Sequence, residues 1–217
     1  MDASREQLLH LADGSKVIVR AVRVEDGSRV QAFVRNLSAR SRRLRFFSGL
    51  VELSALHLKH FLQLDPNRGL ALVALSDHDA EVIIAEARCV LDRDGANAEF
   101  ALVVADRFQR RRLGTQLVKT LLAYASAKGV RRVFGEMLSE NHAMLAFARQ
   151  LGFEVRLNPS DPTTLIAQRV ARVTWRSSVP DPRRFPVAGG RAEPVNSGRW
   201  TSEAFRPTLI PPERTVA

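Results

Sequence analysis

Cysteine is almost missing from this sequence. Cys89 is the only one, which excludes an internal disulfide and any cysteine-built metal centre and suits a reducing, cytoplasmic setting. Histidine adds little: His10, His57, His60, His78 and His142 are scattered. His57 and His60 share a helix face, but no third ligand lies near them, so no metal is expected. No apolar run approaches the roughly 20 residues needed to cross a bilayer. The opening residues, MDASREQLLHLADG, lack the cationic region and apolar segment of an export signal, so neither a membrane span nor secretion is expected. Internal repeats are lacking too.

What is present points to one domain with an appendage, since 217 residues at 45% hydrophobic content can bury a proper core. The formal charge of +10 favours anionic partners. The excess is spread along the chain: residues 171–217 hold eight arginines against four acids, and the rest of the surplus lies upstream. Seven of the ten prolines fall between Pro180 and Pro212, where periodicity disappears. Residues 171–217 are therefore expected to form a basic, Pro/Arg-rich, disordered tail. Trp175, Trp200, Phe185 and Phe205 give it material for docking, but no recognised nucleic-acid motif accompanies them, and nucleic-acid binding is not expected.

Residues 1–15 read as a loose N-terminal extension and residues 16–170 as the folded domain. Lys16 to Arg23 alternates like a first strand, and Asp26 to Leu37 carries apolar residues at helical spacing. Ser38 is placed to cap a second helix, SARSRRLRFF, in which Leu44, Phe46 and Phe47 can bury while Arg40, Arg42, Arg43 and Arg45 stay wet. A third helix covers Ser54 to Leu64 and stops before Asp65-Pro66. Strands follow at Leu70 to Ser76 and Glu81 to Leu91, joined by a turn at Asp77 to Ala80. A second turn, DRDGAN, leads into a strand from Ala98 to Val104. After a helix closed by Gly129 come a strand at Arg131 to Met137, a helix from Asn141 to Leu151 ended by Gly152, and a closing pair, GFEVRL and TTLIAQRV. This order predicts a mixed α/β sheet with helices on its faces.

The chain is organised around AEFALVVADRFQRRRLGT. Its first part reads as a strand buried on both faces, and its last part as a tight basic turn opening a helix with Leu113, Leu117, Leu121 and Ala125 inward. Such a junction suits a phosphate, because the first amides of a helix lack internal partners and carry about half a positive charge.

Read with the helix from Asn141, this stretch resembles the GNAT superfamily of acyl-CoA-dependent N-acyltransferases. The pyrophosphate signature of that family is Gln or Arg, two residues, Gly, one residue, Gly or Ala. Gln109 and Gly114 fill its first and last places, while Arg112 takes that of the first glycine. Close approach at that one amide is thus not implied, although the other amides of Arg110 to Thr115 are available. NHAMLAFARQLGF resembles the family's Asn-containing helix that ends in Gly-Phe, here Gly152 and Phe153. The likeness runs from roughly Val17 to Val170. LSARSRRLRFF is similar to a segment of the GNAT domains that act as bacterial protein lysine acetyltransferases.

The resemblance implies a mostly antiparallel mixed sheet with a central splayed parallel pair, and acetyl-CoA as cosubstrate. Main-chain groups of Leu102, Val103 and Val104 would hold the pantetheine arm. The amides of Arg110, Arg111, Arg112, Leu113, Gly114 and Thr115 would hold the diphosphate, with Gln109 opening the signature and Asn141 reaching the cofactor. Consecutive helical residues point about 100° apart, so the three arginines cannot all face one ligand.

A free lysine, with a pKa near 10.4, is protonated at neutral pH and needs a base before it can attack a thioester. Glu99 matches a glutamate with that role in the protein-acetylating members, and its apolar strand is expected to desolvate it and raise its basicity. Glu86 and Glu136 are fallbacks on flanking strands. The tyrosine that many members use as an acid is replaced by Ala148, and the lone Tyr124 lies in another helix. An amide at or beside Val103 would meet the oxyanion. The expected reaction is acetyl transfer to a primary amine, preferably a protein lysine and otherwise a small amine. The competing reading is a non-catalytic CoA-binding sensor or scaffold. Oligomeric state and acyl-chain preference leave no mark in the sequence.

Overall fold

A computed structural model describes residues 6–76, 79 and 81–171. The tail tryptophans and phenylalanines, and most of the expected turn at Asp77 to Ala80, lie outside the described residues.

Eight strands form one sheet in the order β1-β2-β3-β4-β5-β6-β8-β7. β1 (Gln7–His10), β2 (Lys16–Ala21), β3 (Gly69–Ser76), β4 (Ile83–Leu91) and β5 (Asn97–Val104) make an antiparallel meander. β5 then pairs in parallel with β6 (Arg132–Leu138). β7 (Glu154–Leu157) and β8 (Thr164–Val170) form the closing antiparallel pair, with β8 inserted beside β6. This is the predicted mixed α/β sheet with one parallel pair.

Helices cover both faces. α1 (Gly27–Asn36), α2 (Ala39–Phe46) and α3 (Ala55–Leu62) lie on one side, where Val30, Phe33, Phe46 and Phe61 pack with Val73, Leu75 and Val103 of the sheet. α4 (Leu113–Ala127) and α5 (His142–Gln150) lie on the other. There Leu113, Leu117, Leu121, Ala125 and Leu145 meet Leu72, Ala87, Ala98 and Phe100. The inward positions of α4 are those the helical period picks out. Ser38 caps α2 by accepting from the Ser41 amide at 3.1 Å, and Ser54 caps α3 by accepting from His57 at 3.2 Å.

Two expectations need correction. The described part of the N-terminal stretch is no loose extension: Gln7 to His10 is the edge strand of the sheet, with Leu9 and Leu11 buried. Four residues are too short to display a convincing alternation. Second, Arg45 does not stay wet on α2, because its side chain is only 9% exposed and pairs with the buried Glu86 of β4.

A buried ion pair locks β2 to the start of α1. Arg20 donates from Nη1 and Nη2 to both oxygens of Asp26 at 2.7 Å, and the Arg23 amide adds a third bond at 2.8 Å. Among the described residues no helix is long and apolar enough to cross a membrane.

Candidate active site

The parallel ladder between β5 and β6 has three pairs, Asn97 with Arg132, Ala98 with Val133 and Glu99 with Phe134. Beyond Glu99 the strands part, although β5 continues to Val104 and β6 to Leu138. β4 stays paired to β5 as far as Val104, so the edge of β5 that faces β6 is left open. A cleft of about 810 Å³ opens along this edge. The parting also corrects the expectation that the strand is buried on both faces. Ala98, Phe100 and Val103 are buried, whereas Ala101, Leu102 and Val104 are half-buried because they line the cleft.

At the end of β5 the chain turns sharply into α4. Gln109 folds back, its Nε2 donating to the Val104 carbonyl at 3.0 Å. Arg110 (φ 61) and Arg112 (φ 65) are both left-handed, a conformation that costs a non-glycine residue about 1–2 kcal/mol. Left- and right-handed residues in succession aim neighbouring amides into one concavity, a form that suits an anion. Arg112 thus adopts the backbone geometry that a glycine would take most easily. The first helical bond of α4 runs from the Gln116 amide to Arg112, so the amides of Leu113, Gly114 and Thr115 precede it and have no intrahelical acceptor. Gly114 brings this helix end down onto β5, where an added Cβ would lie 3.1 Å from Leu102 Cδ2.

The three arginines diverge. Arg110 and Arg112 line the cleft, along with Gln109, Gly114 and Thr115. Arg111 turns away to Asp13, with Nη1 2.7 Å from Oδ2, and its carbonyl accepts from the Ala12 amide at 3.2 Å. Leu113 is buried in the core and has only its amide to offer. Together the turn, the two arginines that line the cleft and the open edge of β5 fit an anionic diphosphate with an extended tether.

Strand alternation divides the cleft between the two faces of the sheet. Leu102 and Val104 share the α4 side, where Gly114 approaches them. Glu99, Ala101 and Val103 share the opposite side with Arg88 and Glu86, which stand across from Ala101 and Val103. Glu99 is half-buried and lines the cleft. Of the fallback carboxylates, Glu86 is 1% exposed and held between Arg45 at 3.3 Å and Arg88 at 2.5 Å, which withdraws it from base duty. Glu136 lines the cleft and accepts from Asn158 Nδ2 at 2.8 Å and Thr164 Oγ1 at 2.6 Å.

α2 forms the wall on that side. Asp106, just past β5, accepts from the Ser38 and Ser41 hydroxyls, both at 2.8 Å, and from the Ser38 amide at 3.1 Å. Burial pushes the Asp106 pKa up, but these bonds outweigh it and the carboxyl is held below its ordinary value. Arg43 reaches from α2 to Glu140 ahead of α5 at 2.9 Å. None of these long-range partners could be paired from the sequence, since Ser38 and Asp106 stand 68 positions apart and Arg45 and Glu86 41.

Asn141 caps α5, its Oδ1 accepting from the Met144 amide at 3.2 Å, and it also lines the cleft. Ala148 is fully buried in the same helix. Tyr124 does not line the cleft: its hydroxyl donates to the Pro66 carbonyl at 3.1 Å, and burial chiefly raises its pKa. Cys89 is buried, and its thiol is pushed up to about 12 by burial and then by the Glu99 charge. Among the described residues no cluster of His, Cys, Asp and Glu could hold a metal ion.

Comparison with known proteins places this arrangement. The Acetyltransferase (GNAT) family pattern matches residues 34–153. An acetyltransferase of Pseudomonas aeruginosa is 30% identical over 157 residues, 72% of this chain and 84% of its own length. The GNAT domain of S. lividans PAT superposes with a TM-score of 0.70 at 25% identity, covering 78% of this chain and 99% of that domain. A GNAT-family acetyltransferase of Streptococcus pneumoniae, 17% identical, shares the fold with a TM-score of 0.57 over 71% of this chain and 98% of its own.

Proposed function

The chain belongs to the GNAT acetyltransferase family and is an acyltransferase, and on that premise we propose that it acetylates a primary amine, preferably a protein lysine, with Glu99 as the base. The GNAT fold implies acetyl-CoA as cosubstrate. The observation that carries the reading is the parting of β5 from β6 immediately beyond Glu99, with the left-handed turn at the far end of the open edge.

The diphosphate of acetyl-CoA rests on the amides of Arg110 to Thr115, with Arg110 and Arg112 beside it and Asn141 reaching it from α5. The pantetheine arm lies along Leu102 to Val104 as an added strand would. This sets the thioester near Ala101 and Val103, on the face of the strand that Glu99 shares. Glu99 takes a proton from the ammonium, directly or through one water, and the freed nitrogen attacks the thioester carbonyl. An amide at or beside Val103 meets the negative oxygen. The C–S bond then breaks, the nitrogen gives up its second proton to the departing sulfur or to solvent, and coenzyme A leaves without a protein acid, since Ala148 has none to give. The preference for a protein lysine is supported by α2, which walls the acceptor side and resembles the corresponding segment of protein-acetylating members.

Free-thiol release from acetyl-CoA, measured with lysine peptides and small amines for the wild type and Glu99→Gln, tests the reading. The variant is expected to lose about 10²–10⁴-fold in kcat, with the KM for acetyl-CoA held. Equal rates in the two proteins would remove Glu99 from the mechanism.

A further inference from the structure

On the acceptor side of the cleft a single buried carboxylate stands between two guanidiniums. Glu86 is one carboxylate shared by two guanidiniums, Arg45 at 3.3 Å and Arg88 at 2.5 Å, so the triad carries a net positive charge. Arg88 is well provided for. Its Nε donates to Glu86, its Nη2 donates to the Phe61 carbonyl at 3.3 Å, and its guanidinium lies 3.8 Å from the centre of the Phe61 ring. Burial chiefly, and then the like charge of Arg45, hold its pKa below the ordinary value, while Glu86 opposes them.

Arg45 is less well provided, with its guanidinium 5.1 Å from the centre of the Phe46 ring. Its side chain is 9% exposed. It has one long bond to Glu86, and its Nε is buried without a hydrogen-bond partner among the described residues. A buried, ionised donor left unmet is expensive. Arg45 and Arg88 both line the cleft, as do Glu99 and Glu136. Arg88 stands across from Ala101, two positions along β5 from Glu99, which is about 7 Å along a strand. The two arginines and Glu99 therefore line one cleft, with Arg88 and Glu99 on the same face of the sheet.

We propose that the acceptor carries a carboxylate close to its reacting amine and that Arg45, backed by Arg88, receives it while the amine faces Glu99. The proposal deepens the acetyl-transfer reading and rests on it. The same chemistry has two sources, an acidic residue flanking a protein lysine and the carboxylate of a free amino acid. In either case the bound carboxylate gives the Arg45 fork its missing acceptor and the triad its missing negative charge. It also fixes the direction in which the amine presents itself.

The test uses the full chain and two matched pairs of acceptors: a lysine peptide with Glu or Gln beside the lysine, and free lysine or lysinamide. Thiol release is measured for wild type and Arg45→Gln. In at least one pair the carboxylate member is expected to be favoured by about tenfold or more in kcat/KM, the worth of one charge-assisted hydrogen bond. The favoured pair identifies the source. Arg45→Gln is expected to abolish the preference and leave the KM for acetyl-CoA unchanged. Equal rates within both pairs overturn the proposal with acetyl transfer intact, and this wild-type comparison holds even if the variant does not fold. A preference that survives in Arg45→Gln also overturns it. If none of the four amines releases thiol, the acetyl-transfer reading is what has failed for them. Calorimetry of the Glu peptide and free lysine on the CoA-loaded protein then decides the subsite: binding lost in Arg45→Gln supports it, and no binding sinks it.

Discussion

Gly135 lies against Phe100 so closely that a Cβ on the glycine would sit 2.8 Å from the Phe100 ring and 2.9 Å from its carbonyl oxygen. These two residues occupy the first positions beyond the parallel ladder, where β5 and β6 separate. The ring packs against the glycine and also meets Phe153, with centroids 4.9 Å apart. The shape of the cleft therefore depends on a hydrogen atom at residue 135. Gly135→Ala is expected to cost about 1–3 kcal/mol by overpacking and to weaken coenzyme A binding. Urea melts and calorimetry check both, and a variant that matches the wild type in each disproves the pivot.

Arg112 holds a left-handed backbone, φ 65, ahead of α4, and no side-chain cap holds it there. Arg112→Gly relieves the clash between Cβ and the following carbonyl but loosens the unfolded chain. The net expectation is a gain of up to about 1 kcal/mol, whereas Arg112→Val, β-branched at a positive φ, loses stability. Thermal melts of the two variants should move in opposite directions.

Much of this architecture is legible in the residues themselves. The strand, basic turn and helix from Ala98 to Ala125 announce themselves by a change of period from two to 3.6. Ser38 and Asn141 mark helix starts because their side chains can take up an otherwise orphaned amide. What escapes is whatever depends on partners distant in sequence. Arg45 reads as one more wet arginine until β4 brings Glu86 beneath α2. Ala101, Leu102 and Val104 read as core until the sheet is seen to open beside them, and β1 is too short to carry a pattern. Arg112 looks like a departure from the glycine signature, yet the backbone there takes the geometry a glycine would.

Asp26 is fully buried between Arg20 and α1. Burial alone would raise its pKa, but the bonds from Arg20, the Arg23 amide and Arg29 outweigh it and hold the carboxyl below its ordinary value. A lowered folded pKa means stability that is present above the unfolded value of about 3.9 and lost as pH falls through the folded one. Urea unfolding is expected to show the wild type weakening below about pH 4. Asp26→Asn should lose about 3–5 kcal/mol at pH 7, because the buried Arg20 is left with only the more distant Glu6 carboxylate, 3.8 Å away, to balance it, and should respond less to acid. A variant with the wild-type acid profile rules out this pair as the source.

Cys89, buried and pushed up to about 12, is a neutral thiol at any ordinary pH. Native protein at pH 8 is expected to resist a thiol-specific reagent for as long as it stays folded, and to react at once in urea. Prompt labelling without denaturant contradicts the packing described for β4.

The contacts around Arg111 reach further than the turn they hold. Its carbonyl and guanidinium grip Ala12 and Asp13, and Gln116 of α4 donates to the His10 carbonyl at 3.1 Å. The outermost strand, the first that would fray in a sheet of this kind, is thereby riveted to the cradle four strands away. A nucleotide settling into that cradle would be felt as slowed amide exchange at the opposite border, from Gln7 to Ala12, so occupancy of the cleft can be read by watching a part of the protein the ligand never touches.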